Sequence, residues 1–220
     1  MDPSPEFVWR IGDLADAVAE GLARASAAVE EEQAVRGIDA LDELELHPLL
    51  HDTFAQAGYG VHPEQRFPRD RRRRNKRSEG ERCDIVLTPD GRPLAEEAAL
   101  TTLFTPAGAV DLPDAFWLEV KTTGQFIEGG PNHRYAAELQ QPVRRDVRKL
   151  AADPEILHAG VLLVLFAALE EIARQDLSTW QSKCLANGLP VGTPAIRTIP
   201  VGDRLGNTCA VIAVFPVHHL

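Results

Sequence analysis

The chain has 220 residues, of which 44% are apolar, 25% charged and only 6% aromatic, and its formal net charge is −10. A chain of this size removes roughly 70% of its unfolded surface from water, so one core suffices without disulfides or a structural metal. The longest apolar run, residues 159–169, has eleven residues. A membrane-spanning helix needs about 20, and MDPSPEFVWR lacks the lysines and leucine run of a signal peptide, so a cytoplasmic chain with no membrane span is expected.

Charge is unevenly placed. Residues 1–68 carry 4 basic and 14 acidic side chains, residues 69–77 carry 7 and 1, and residues 78–220 carry 12 and 18. An acidic chain cannot coat a nucleic acid all over, so any such contact concentrates in the basic run and a few further arginines. Cys83, Cys184 and Cys209 are far apart and without a CxxC, which disfavours a zinc cluster and predicts small buried hydrophobes.

Residues 11–36 place Ile11, Leu14, Ala15, Val18, Leu22, Ala25 and Val29 at helical spacing and predict an amphipathic helix. A second helix should start near His47-Pro48, with residues 38–46 as a candidate extension, and end in a cap at Gly58. Residues 59–68 read as a strand closed by Pro68, and residues 81–91 as a second strand ending in a Pro-Asp-Gly turn. In that strand, alternation places Cys83, Ile85 and Leu87 on one side and Arg82, Asp84 and Val86 on the other. Residues 91–113 read as an insertion with a short helix over Leu94 to Leu103, and residues 116–124 as the third strand. An arginine-rich helix follows, its stripe being Leu139, Val143, Val147 and Leu150, with Pro142 at its start or at a kink. Residues 158–168 are continuously apolar, as in a central strand buried on both faces. A helix over 168–187 and two strands joined around residues 202–207 complete the chain. The expectation is an α/β fold, a mixed central sheet flanked by helices. It is one domain over 1–220, divided into a helical extension (1–40), a core (41–170) and a C-terminal helix and hairpin (171–220).

The chemistry-bearing residues are Asp84, Glu119 and Lys121. Side chains two apart on a strand share a face, so Glu119 and Lys121 project together while Leu118 and Val120 point the other way. With the strand of Asp84 alongside, two acids and a lysine share one solvent-filled pocket. Asp84, Glu119 and the main-chain carbonyl of Val120 then suit a hard divalent ion, Mg²⁺ or Mn²⁺. Such an ion lowers the pKa of a water, and Lys121 offsets charge developing on a phosphate, which is the chemistry of phosphodiester hydrolysis. Glu-x-Lys alone recurs by chance about once in 250 residues. No Gly-x-x-x-x-Gly-Lys loop or Gly-x-Ser-x-Gly elbow is present, which sets aside P-loop NTPases and α/β-hydrolases.

With ERCDIVL supplying Asp84 and WLEVKTT supplying Glu119 and Lys121, residues 40–170 resemble the PD-(D/E)xK nuclease superfamily. The resemblance implies a restriction-endonuclease-like α-β-β-β-α-β core and a metal-dependent nuclease, acting on DNA ahead of RNA. Cys83 stands where that family often has proline. The family also often draws a glutamate from its first core helix, for which Glu45 is the first choice and Glu43 the reserve.

Arg71, Arg72, Arg73, Arg74, Lys76 and Arg77 between the first two core strands, with Arg145 and Lys149 on the arginine-rich helix, are candidates for neutralising backbone phosphates. Gln125 and His133 beyond the third strand are further candidates for touching substrate. A homodimer or protein complex is compatible with the sequence, and the alternative function is a non-catalytic nucleic-acid-binding or complex-forming module of the same fold.

Overall fold

A computed structural model of the chain describes residues 7–71, 81–95 and 108–219. The elements used below are α1 (Ile11–Glu31), α2 (Glu43–Gln56), β1 (Gly60–Arg66), α3 (Pro68–Arg71), β2 (Arg82–Thr88), β3 (Phe116–Gly124), β4 (Phe126–Ile127), β5 (Gly130–Pro131), α4 (Tyr135–Ala151), β6 (His158–Ala167), α5 (Glu170–Ala186), β7 (Ala195–Pro200) and β8 (Cys209–Val217). Six strands form one mixed sheet in the order β1-β2-β3-β6-β8-β7, and β4 and β5 make a separate hairpin. Within the six-stranded sheet β3 and β6 pair in parallel, through the crossover that carries α4; the other neighbours are antiparallel. The order α2-β1-β2-β3-α4-β6 therefore reproduces the expected α-β-β-β-α-β succession, with α1 before it and the β7/β8 hairpin after it.

Two apolar layers sandwich the sheet. Trp117, Val161, Leu163 and Leu165 face α4 and α5 with Leu139, Val143, Val147, Leu150 and Trp180. Leu118, Val120, Leu162, Val164, Ile212 and Val214 face α1 and α2 with Leu14, Val18, Leu22, Leu50 and Phe54. Strand β6 is buried on both faces, as its unbroken apolar run requires. All three cysteines are buried and free. Among the described residues no helix is long and apolar enough to cross a membrane.

Several boundaries differ from expectation, each for a local reason. Helix α1 stops at Glu31, not Arg36, because its apolar stripe ends at Val29 and three glutamates at the C-terminal end oppose the helix dipole. Gln33 then turns left-handed (φ 52°), and Ala34 N–H bonds back to Val29 O at 3.0 Å. Helix α2 starts four residues before His47. Asp42 and Glu45 cap it reciprocally, Glu45 N–H to Asp42 Oδ1 at 2.8 Å and Asp42 N–H to Glu45 Oε2 at 3.1 Å. Pro48 thus falls in the second turn, and Pro142 lies inside α4 and does not start it. The cap at Gly58 is present: its φ is +90°, and Tyr59 N–H closes on Phe54 O at 3.0 Å. Pro68 ends no strand directly but opens the single turn α3. The short helix expected over Leu94 to Leu103 falls largely outside the described residues; Leu94 and Val110 are joined by a bridge.

Alternation in β2 also departs from expectation. Cys83 packs with Val86 on the α4 side, whereas Ile85 and Leu87 pack on the α1/α2 side. The period breaks at Asp84, opposite Glu64 of β1, which is itself left-handed (φ 53°).

Helices α1 and α2 pack closely at Gly21, where an added methyl would overlap the Thr53 side chain. Alanine is intrinsically about 1 kcal/mol better than glycine in a helix, but overpacking this crossing costs about 1–3 kcal/mol. Gly21→Ala should therefore lower the urea midpoint, and a raised midpoint would show that the helices can separate without cost.

Candidate active site

The β2–β3 ladder pairs Leu87 with Phe116, Val86 with Trp117 and Ile85 with Leu118, and no further. At the next position the strands part, and Asp84 supplies from its side chain what the main chain no longer does: Oδ2 accepts from Val120 N–H at 2.8 Å. The opening is reached from both helical layers. Glu43 of α2 meets Lys121 Nζ at 2.9 Å, and Asp146 of α4 meets it at 3.6 Å. Asp84 Oδ2 lies 3.8 Å from the same nitrogen, and Lys121 Nζ also donates to Val120 O at 2.8 Å.

Glu119 lies deeper. It is 2% exposed, so the solvent-filled pocket expected for all three residues holds for Asp84 and Lys121 at the rim and not for Glu119. Lys149 Nζ sits 3.7 Å from Glu119 Oε1 and 2.7 Å from Asp146 Oδ1. Among the described residues, Glu119 Oε1 and Asp146 Oδ2 are buried without a hydrogen-bond partner. Asp84, Glu119, Lys121, Arg145, Asp146 and Lys149 line one open cleft of about 590 Å³.

Charge in this cleft is strongly coupled. Burial, then the neighbouring Asp84 and Asp146 carboxylates, push the Glu119 carboxyl up to about 9, with Lys149 opposing. Burial works against the Lys121 ammonium, but Asp84, Glu43 and Asp146 outweigh it and hold its pKa above the ordinary lysine value. Lys149 is raised in the same way by Glu119 and Asp146. Among the described residues, the carboxyls of Glu43, Asp84, Glu119 and Asp146 face the ammoniums of Lys121 and Lys149, so this group of six, fully ionised, lacks two positive charges.

A cation fits that excess of carboxyls, which is one charge while Glu119 holds its proton and two once it is ionised. Glu43, His47 and Asp84 each present one donor atom, and the three lie within 4.8 Å of one another. His47 is 8% exposed, and its Nε2 has no partner among the described residues, as suits an imidazole kept for a ligand.

Of the residues expected at the site, Asp84, Glu119 and Lys121 converge. Glu45 does not join them: its carboxylate caps α2 and binds Arg36 at 3.1 Å, and Glu43, two residues earlier, faces the site instead. The Val120 carbonyl, expected to face a metal, accepts from Lys121. Lys149 belongs to the cleft floor, whereas Arg145 is exposed at the rim and paired with Glu81 at 2.7 Å. Arg71 closes α3, and Arg72, Arg73, Arg74, Lys76 and Arg77 lie outside the described residues. Gln125 Oε1 accepts from Ala168 N–H at 3.1 Å and so is engaged structurally, and His133 is exposed. Sequence reasoning missed Asp146 and His47. Asp146 had a signal, an acid in phase with Leu139, Val143 and Leu150 on the buried stripe of α4; His47 had only its i, i+4 relation to Glu43.

No family model, curated protein or solved structure matches the chain.

Burial of Glu119 has a consequence for stability. Between the unfolded value of 4.5 and about 9 the folded chain keeps a proton that the unfolded chain releases. Metal-free stability should therefore fall as pH rises through that window, by up to about 1.4 kcal/mol per pH unit. Denaturation in chelator from pH 5 to 9 should show this slope, and Glu119→Gln should flatten it and be the more stable protein at pH 8. A variant that tracks wild type would assign the slope to other groups.

Proposed function

We propose that the chain is a metal-dependent nuclease of the PD-(D/E)xK type, hydrolysing phosphodiester bonds of DNA ahead of RNA in the cytoplasm. The observation that carries the reading is the convergence of Asp84, Glu119 and Lys121 where β2 leaves β3. Glu43, His47 and Asp84 are the residues that would hold a divalent ion, and Glu119 borders them. An imidazole among oxygen donors favours Mn²⁺ over Mg²⁺. Bound there, the ion would supply Lewis acidity toward a phosphate oxygen and a water of lowered pKa.

The chain's own groups do the rest. Lys121 is held by Val120 O and Glu43, so its ammonium has a fixed position from which to offset negative charge developing on the phosphate. Asp84 is oriented by Val120 N–H, and its carboxylate offers a donor atom beside those of Glu43 and His47. The basic run between α3 and β2 would meet backbone phosphates, since Arg82, just beyond it, lines the cleft.

Cleavage of plasmid, single-stranded DNA and RNA in Mn²⁺ and in Mg²⁺ tests this directly. Asp84→Asn and Glu119→Gln, which keep the Val120 acceptor and the buried volume, and Lys121→Ala should each lower the rate by about 100-fold or more with unchanged far-UV circular dichroism. Full activity in Lys121→Ala would remove that residue from the mechanism, and nucleic acid binding without cleavage by wild type would favour the non-catalytic module.

Replacing the basic residues of 69–77 by serine should weaken binding to all duplex sequences alike. The slope of log affinity against log salt should flatten by about 0.9 for each phosphate no longer neutralised. Binding unchanged at low salt would give the run another role.

A further inference from the structure

The cleft continues past Lys121, and its character changes there. A pocket of about 270 Å³ adjoins it, sharing Lys121 and Pro142 with the cleft. Its wall is apolar, formed by Leu139, Pro142 and Val143 of α4 and by Leu163 and Leu165 of β6. That volume lies just below the roughly 300–1,000 Å³ that hold drug-sized ligands, and it suits one base with its sugar. Further on, a pocket of about 300 Å³ between the start of α2 and the β4/β5 hairpin shares Thr122, Thr123 and Glu138 with the apolar one. Charge divides this trench at Lys121. The cleft on one side carries as many basic as acidic side chains, Arg82, Arg145 and Lys149 among them. The far pocket is lined by Asp39, Asp42, Glu43, Glu128 and Glu138, with Arg36 as its one basic side chain among the described residues. Arg36 is itself held by Glu45 at 3.1 Å and by Ala40 O at 2.9 Å. A concave surface of one sign focuses its field, so phosphates admitted to the cleft are repelled beyond the apolar pocket. A base and its sugar carry no charge and meet no such barrier.

We propose that the chain cleaves nucleic acid from strand ends, with the scissile phosphate at Lys121, the terminal nucleoside in the apolar pocket and the rest of the strand on the side of Arg82 and Arg145. The inference rests on the nuclease reading above and deepens it, because it names the substrate as a strand with a free end. Each step consumes one water. Its oxygen joins the phosphorus as the ester P–O bond breaks, the leaving oxygen takes one of its protons and the new monoester keeps the other, so the terminal residue departs. A further phosphate would have to enter the acidic pocket, and a closed circle always carries one.

One single-stranded oligonucleotide, offered to the full chain either linear or ligated into a circle in the same Mn²⁺ buffer, tests the proposal. The linear form should be shortened one residue at a time, and the circle should be cut at least about 100-fold more slowly. Glu128 is exposed on the hairpin, so its replacement leaves the core untouched. Glu128→Lys should raise cleavage of the circle by about tenfold at low salt, lose that gain as salt is added, and change the linear rate by less than about twofold. A circle cut as fast as the linear strand, or internal fragments from the linear strand, overturns end-directed cleavage and leaves the nuclease reading intact. No cleavage of either form overturns both. A Glu128→Lys protein that treats the circle as wild type does counts against the acidic pocket as the barrier, and so against the proposal.

Discussion

The opening between β2 and β3 turns on one hydrogen bond, from Val120 N–H to the Asp84 carboxylate. Along β2 and β3 the main chains satisfy each other until Ile85 and Leu118; beyond that point an unpaired N–H in the middle of a sheet would be a serious cost. A side-chain acceptor removes the cost and lets the strands separate. The separation is what admits side chains from both helical layers to one place, α2 on one side and α4 on the other. A fully laddered β2–β3 pair would keep Glu43 and Asp146 apart, on opposite faces of the sheet.

The penalty for this arrangement is electrostatic. Four carboxyls and two ammoniums share a partly desolvated volume, and removing charges from water is offset only by close partners. Lys121 is close to three carboxylates at once, which explains both its raised pKa and its central position. Glu119, at the bottom, is buried beside the Asp84 and Asp146 carboxylates and holds its proton instead. The apolar layers on either side, with Trp117, Leu118 and Val120 fully buried, supply the burial energy that tolerates such a cluster.

Much of this is legible in the chain. Period two in FWLEVKTTG places Glu119 and Lys121 on one face and Leu118 and Val120 on the other, and the unbroken apolar run from Ala159 identifies the central strand. The departures share a cause, in that each depends on an exception to periodicity. Asp84 breaks the alternation of β2, so Cys83 lies opposite to its expected face. Pro48 suggests a helix start, although Asp42 and Glu45 have the spacing of a capping box, and with the start misplaced the choice between Glu45 and Glu43 has no phase to rest on. Asp146 occupies a position that the stripe of α4 reserves for an apolar side chain; a charge there is informative because burial makes it expensive.

The two sides of the opening are prepared differently. On the α2 side, both ends of the helix are closed, by the Asp42–Glu45 box and by Gly58, so Glu43 and His47 are held one turn apart on a rigid element. Little conformational freedom remains to be lost there when a ligand arrives. On the α4 side Asp146 is held at 2.7 Å by Lys149 of the same helix, while Lys121 pairs with Glu43 at 2.9 Å on the other side. A capped helix on one side and close ion pairs on the other thus hold the acids of the cleft in place before any partner meets them.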